Sequence, residues 1–179
     1  MKPEPQQSFP LGPALGFLDQ LWQLNHALLQ LSGHMDKRLG VTAQQRLIVR
    51  CLGKYPGMTA GQLAALLHLD AGTISASLRR LEEKRVIERR RDPRDKRRAS
   101  LGLTEKGRAL DRSAKGTVEY AVEQLLLEGN QQEVATTARV LGQLTALLIQ
   151  ECEPGLNAGE RAARSVLVLP IATVRRKPQ

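Results

Sequence analysis

Apolar positions recur at helical spacing over most of this chain, and the period drops to two in one short region. From Leu11 to about Leu39, Leu11, Leu15, Leu18, Trp22, Leu29 and Met35 form one stripe, with Phe17, Leu21, Leu24, Leu28 and Leu31 beside it. A stripe this broad predicts a helix that buries two sides, ended by Gly40 as its C-cap. Thr42-Ala43-Gln44-Gln45 reads as a capping box, in which hydroxyl and amide satisfy each other's orphan backbone donors. The helix it opens runs through Leu47, Ile48, Cys51 and Leu52 and stops before Tyr55-Pro56-Gly57. A second box, Thr59 to Gln62, opens a short helix through Leu63, Leu66 and Leu67. Asp70 is then the N-cap of a helix through Ile74, Leu78 and Leu81. Two short helices joined by a tight turn are the helix-turn-helix arrangement.

Period two appears next. Val86 to Arg91 and Ala99 to Leu103 read as short strands around the turn signal Asp92-Pro93, with Ala99, Leu101 and Leu103 alternating with Arg98, Ser100 and Gly102. Thr104 is expected to cap one long helix through Leu110, Thr117, Ala121, Leu125 and Leu126. Gly129-Asn130 breaks it, and a last helix carries Val134, Ala138, Leu141, Leu144 and Leu148. Beyond Pro154 the pattern fails, apart from an apolar run with strand character from Ser165 to Ile171.

Charge adds a location to this picture. Residues 84 to 98 hold nine basic side chains against three acidic ones, +6 of the chain's formal +9. A basic hairpin directly behind a helix fits the groove of a nucleic-acid duplex. With aromatics at only 3% of the 179 residues, stacking readers of single strands or RNA are disfavoured. No apolar run approaches the roughly 20 residues of a membrane span. The first ten residues lack the pattern of a secretory signal. Cys51 and Cys152 make neither a disulfide framework nor a metal spacing, so a cytoplasmic chain is expected, with no membrane partner.

The recognition candidate is the helix from Ala71 to Arg85. Thr73, Ser75, Ser77, Arg79 and Arg80 are taken as its groove-facing residues, because small hydroxyl side chains permit close approach and arginine can donate twice to a guanine edge. Against an ordinary amphipathic surface helix stands the adjoining basic hairpin, whose packed like charges repel unless a partner neutralises them. In that hairpin a carboxylate can hold a guanidinium in a fixed orientation, so Asp92 and Asp95 are expected to brace Arg97 or Arg98. Arg94 is left at the tip, suited to a narrow minor groove, while Arg90, Lys96 and the strand arginines take phosphates.

Asp92-Pro93-Arg94-Asp95-Lys96-Arg97, followed by Leu103-Thr104-Glu105-Lys106-Gly107, resembles the wing and wing-to-helix junction of the MarR family of transcription regulators. Thr42 to Leu52 and Leu63 to Leu81 resemble the family's preceding helices, so the likeness spans about residues 15 to 150. It implies a mainly α fold with a small β-hairpin, a winged helix-turn-helix flanked by dimerisation helices. It further implies a homodimer on a palindromic operator in double-stranded DNA, commonly a repressor relieved by a small molecule or oxidant. Arg94 becomes the minor-groove tip, Asp92 its brace, and Thr73, Ser75, Ser77 and Arg79 major-groove contacts. The expected division is a tail (1–10), a dimerisation helix (11–40), the winged helix-turn-helix (41–104), dimerisation helices (105–152) and an extension without an assigned role (153–179). One departure stands out: Arg85 occupies a position where the family usually has glycine, so either its backbone is strained or the helix ends differently. Apart from the resemblance, terminal helices this apolar would expose a patch unless a second copy covered them.

Other chemistry is sparse. Trp22, His26, Met35, Arg46 and Tyr55 are the candidate lining of an effector pocket, Arg46 being suited to a carboxylate. Cys51 sits at core spacing and reads as a buried thiol, and Cys152 lies between Glu151 and Glu153. His26 and His34, eight residues apart on one helix, are too distant to chelate a single metal. With no phosphate loop, catalytic triad or metal cluster, neither a cofactor nor a catalytic residue is expected. The competing reading is a winged-helix interaction module whose basic hairpin docks an acidic protein; an enzyme ranks third.

Overall fold

The computed structural model describes residues 11–91 and 99–152. In chain order the elements are α1 (Pro13–Leu39), α2 (Ala43–Lys54), α3 (Ala60–Leu67), α4 (Ala71–Glu83), β1 (Ile87–Arg91), β2 (Ala99–Leu103), α5 (Glu105–Leu110), α6 (Val118–Glu128) and α7 (Gln131–Cys152). The run from Ser165 to Ile171 lies outside the described residues.

Local chemistry sets the helix ends. Both capping boxes form: Gln45 N–H donates to Thr42 Oγ1 at 3.2 Å, and Thr59 N–H donates to Gln62 Oε1 at 2.9 Å in the second. Gly40 closes α1 in the left-handed region at φ 69°. The α4 terminus is a Schellman motif, with Arg85 N–H bonding the Glu82 carbonyl and Val86 N–H reaching back to Leu81. Arg85 holds the left-handed position at φ 56°, so the strained alternative is the one realised.

One core joins α2, α3, α4 and the hairpin. Ile48, Val49, Leu52, Leu63, Ile74, Leu78, Leu81, Val86 and Leu101 are all essentially inaccessible and form a single cluster. Each contributes roughly 1.5–3 kcal/mol by leaving water. β1 and β2 pair antiparallel from Ile87 opposite Leu103 to Arg91 opposite Ala99. β2 also bonds on its far side, where Leu101 N–H donates to the Met58 carbonyl and Gly57 N–H to the Leu101 carbonyl. The turn at 57–58, with Gly57 left-handed at φ 87°, thus lines the hairpin's second edge, which the alternation pattern does not reveal. The architecture is a winged helix-turn-helix flanked by helices.

Two expectations are corrected. The long helix expected from Thr104 is two helices: Thr104 caps only α5, the chain turns through 111–117, and Thr117 caps α6 by accepting from Tyr120 N–H. Gly116, left-handed at φ 74°, and the capping Thr117 stop a helix from running through. Second, α1 does not bury two sides within its own chain. Met35 is its sole fully buried residue, while Leu15, Trp22 and Leu29 are more than half exposed.

Candidate nucleic-acid interface

The face of α4 that points away from the core follows from its helical period. Ile74, Ser77, Leu78 and Leu81 are buried and define the inner stripe. Ser77 was expected in the groove, but at i+3 from Ile74 it lies on the inner stripe and is 7% exposed. The outward face instead carries Gly72, Ser75, Arg79 and Arg80, all exposed, with Ala76 between them. Gly72 and Ala76 were overlooked in the sequence because neither carries a polar group, although angular position alone singles them out. Their small size lets the backbone approach a surface closely.

Thr73 lies at the edge of this face. Its hydroxyl donates to Asp70 Oδ2 at 2.5 Å while its N–H donates to Asp70 Oδ1 at 2.8 Å. The Thr73 hydroxyl bond and then its backbone bond hold the Asp70 carboxyl below its ordinary value. The capping carboxylate stays ionised at the positive end of the α4 dipole and fixes the start of the helix.

The strand that follows is cationic, and two of its arginines, Arg89 and Arg90, are held by carboxylates. Arg89 Nε donates to Glu82 Oε1 at 2.7 Å, tying β1 to the last turn of α4. Arg90 donates from Nε and Nη2 to Glu88 Oε1 at 2.9 and 2.6 Å. Both side chains remain exposed; Arg89 lies against α4, while Arg90, the next residue along the strand, points to the opposite face with Glu88. Such exposed pairs add little stability, but they orient the charge. Arg79 carries a looser pair with Glu83 at 3.8 Å. Lys84, part of the same basic run, turns inward and donates from Nζ to the Gly40 carbonyl at 2.7 Å. Asp92, Arg94, Asp95, Lys96, Arg97 and Arg98, expected at the tip and braces of the hairpin, lie outside the described residues.

The segment Leu103-Thr104-Glu105-Lys106-Gly107 locks this surface from behind. Thr104 Oγ1 donates to the Arg85 carbonyl at 2.7 Å, and Lys106 Nζ donates to the Lys84 carbonyl at 3.0 Å. Gly107 packs directly on the Val86 carbonyl, where a Cβ would collide with backbone. Recognition helix, hairpin and α5 therefore share one joint.

The five pocket candidates do not converge. Trp22 and His26 lie on the exposed length of α1, where His26 bonds Gln30. Met35 is fully buried, as is Arg46, whose Nε is bound to Glu119 Oε1 and whose Nη2 donates to the Arg112 carbonyl at 2.6 Å. Neither is placed to meet a ligand. Tyr55 does line a hollow of about 380 Å³, with Arg50, Cys51, Gly53, Lys54 and Asp111. Burial raises the Cys51 thiol, outweighing the opposing pull of Lys54. Among the described residues, no group of three or more His, Cys, Asp and Glu could hold a metal, and no helix is long and apolar enough to cross a membrane.

A helix-turn-helix whose second helix stands proud beside a cationic hairpin defines a winged-helix protein of the DNA-binding type. The sequence model of the MarR family matches residues 41–99. The HTH-type transcriptional regulator TtmR of Methylorubrum extorquens (strain PA1) is 37% identical over 70 residues, 39% of this chain and 36% of that protein. The homoprotocatechuate degradative operon repressor of Escherichia coli is 30% identical over 128 residues, 72% of this chain and 82% of its own length. Streptococcus pneumoniae FabT, solved in complex with DNA, is 27% identical with a TM-score of 0.56, covering 76% of this chain and 96% of that one. The chain belongs to the MarR family of transcriptional regulators.

Proposed function

We propose that the chain acts as a homodimeric, sequence-specific binder of double-stranded DNA that represses from a palindromic operator and responds to a small molecule. The observation that carries this reading is the α4 surface: Gly72, Ser75, Arg79 and Arg80 face outward beside the Arg89 guanidinium that Glu82 ties to α4, with Arg90 exposed on the same strand. Small residues set the depth of approach, Arg79 and Arg80 reach base edges, and the strand arginines take phosphates. Arg94 is assigned the minor-groove tip, with Asp92 and Asp95 as braces and Lys96, Arg97 and Arg98 on the backbone. The DNA complex of a relative at 27% identity supports DNA over an acidic protein as partner. The role is one of binding rather than catalysis, and it puts the protein in the cytoplasm with the DNA.

Dimerisation rests on exposed apolar side chains along α1, α6 and α7, among them Trp22, Leu29, Leu125, Leu127 and Leu147. Two recognition helices related by a two-fold axis read half-sites about 10 bp apart. Of the effector-pocket candidates Tyr55 is retained, and ligand-induced melting shifts across a metabolite panel test that part.

Fluorescence anisotropy with a palindrome from the chain's own promoter and a scrambled duplex tests the whole reading. Salt-sensitive binding with a clear preference for the palindrome is expected. Arg79→Ala or Arg94→Ala weakens it by about 1–3 kcal/mol, whereas Arg90→Ala weakens both duplexes alike and lowers the salt slope by about 1. Equal affinity of the native protein for palindrome and scrambled duplex sinks the proposal.

A further inference from the structure

The turn at 111–117 joins the winged-helix unit, which ends at α5, to the arm that begins with α6. A segment without regular structure would ordinarily be loose, its carbonyls turned to water. Here arginines from two other helices hold it. Arg50, on α2, donates from Nη1 to the Asp111 carbonyl, and the same nitrogen lies 3.1 Å from Asp111 Oδ1. Arg46, also on α2, donates to the Arg112 carbonyl at 2.6 Å. Arg38, in the last turn of α1, donates from Nη2 to the carbonyls of Lys115 and Gly116 at 2.6 and 3.0 Å. Thr117 Oγ1 donates to the Ala114 carbonyl at 2.7 Å.

The same guanidinium groups also reach α6. Arg46 Nε binds Glu119 Oε1, and Arg50 Nη2 lies 3.6 Å from Glu123 Oε1, whose second oxygen accepts from Ser113 Oγ at 2.5 Å. Two glycines make room for the arrangement. At Gly53 a Cβ would run into the Asp111 carboxylate, and at Gly116 it would press on the Arg38 guanidinium at about 3 Å. Arg46 is 1% exposed. A buried ion pair is weak evidence for stability, since well-packed apolar residues would serve as well or better. What directional bonds supply here, and apolar contacts do not, is a fixed angle between the elements they connect.

We propose that Arg46, with Arg38 and Arg50, forms a clip of positioning residues that sets the angle of the winged-helix unit on the dimer arm. The clip thereby sets the separation of the two recognition helices and the half-site spacing the dimer accepts. The spacing claim rests on the operator-binding reading above; the angular claim does not. None of the three arginines needs to touch DNA. Adding or removing one base pair between half-sites moves them by about 3.4 Å and rotates them by about 36°, so a rigid joint discriminates spacings and a loose one does not.

The test uses the full chain in two variants. Arg46→Met with Glu119→Leu removes both charges of the pair together, so the buried guanidinium is not exchanged for a stranded carboxylate, and Arg38→Gln alters an exposed side chain that leaves the core untouched. Palindromes whose spacers differ by one or two base pairs are titrated against each. The native protein should prefer one spacing by about tenfold or more, and the variants should compress that ratio to about threefold or less while single half-site binding is kept. An unchanged ratio in both variants, as folded dimers, overturns the spacing claim. A second readout needs no DNA: spin labels on Glu83→Cys, in a Cys51→Ala, Cys152→Ser background, report the distance between the two α4 helices. A narrow distribution that broadens in the variants is expected, and one that stays equally narrow overturns the clip. Broadening in a protein that binds palindrome and scrambled duplex equally would retain the clip and reject the operator reading.

Discussion

Arg85 shows how a single residue can oppose its local backbone. Its φ of 56° is imposed by the Schellman closure of α4, in which Val86 must enter the core opposite Leu81. A β-carbon there costs about 1–2 kcal/mol in the left-handed region, a penalty glycine avoids. Arg85→Gly should therefore stabilise the fold by about 1 kcal/mol and raise the melting temperature by roughly 2–4 °C. Differential scanning calorimetry checks this, and an unchanged or lower midpoint would mean that the arginine makes compensating contacts. Arg85 is exposed in the chain segment between α4 and β1, so the same substitution should weaken DNA binding at low salt. Opposite signs in the two measurements would identify the strain as the cost of a phosphate contact.

At the scale of elements, the joint behind the recognition helix leaves no room for a side chain. Gly107 lies where any side chain would strike the Val86 carbonyl, a backbone atom that cannot rotate away. Gly107→Ala should cost roughly 1–3 kcal/mol and lower the melting temperature by several degrees. Gly61→Ala, in α3 and with open space around it, should cost nothing of the kind and serves as the control; equal melting of the two variants would contradict the close-packing account. The helices were legible where signals are local, as with the boxes at Thr42–Gln45 and Thr59–Gln62 and the N-cap Asp70. The break at 111–117 was misread because Thr117 keeps helical spacing with Leu110 and Ala121 while acting as a cap. Ser77 was misread for the opposite reason, its hydroxyl outweighing an angular position that belongs to the core. Arg46 reads in the sequence as a partner for a ligand carboxylate; the carboxylate it meets is Glu119, 73 residues away, and no local pattern marks that pair.

For the whole molecule, the balance of exposed and buried surface argues for a second copy. Neither α6 nor α7 contains a buried residue, although Leu125, Leu127, Leu147 and Leu148 are all more than half exposed, as are Leu15, Trp22 and Leu29 on α1. Full burial of a large apolar side chain contributes roughly 1.5–3 kcal/mol; with more than half of each still exposed, seven from each of two copies together supply on the order of 10–25 kcal/mol. Association itself costs about 4–15 kcal/mol. The surplus is positive only if most of the patch is covered, and one charge within it should tip the balance. Leu29→Glu and Leu148→Glu, both at positions exposed in the single chain, leave the winged-helix core intact. Light scattering should then shift toward the 19.8 kDa chain mass from twice that value, with helical circular dichroism largely kept. Loss of the second half-site contact should lower palindrome affinity by about 10²–10⁴ while leaving single half-site binding in place. Should both variants remain dimeric, the exposed leucines of α1 and α7 are not the seam, and the apolar face of α6 around Leu125 and Leu127 would have to carry it alone.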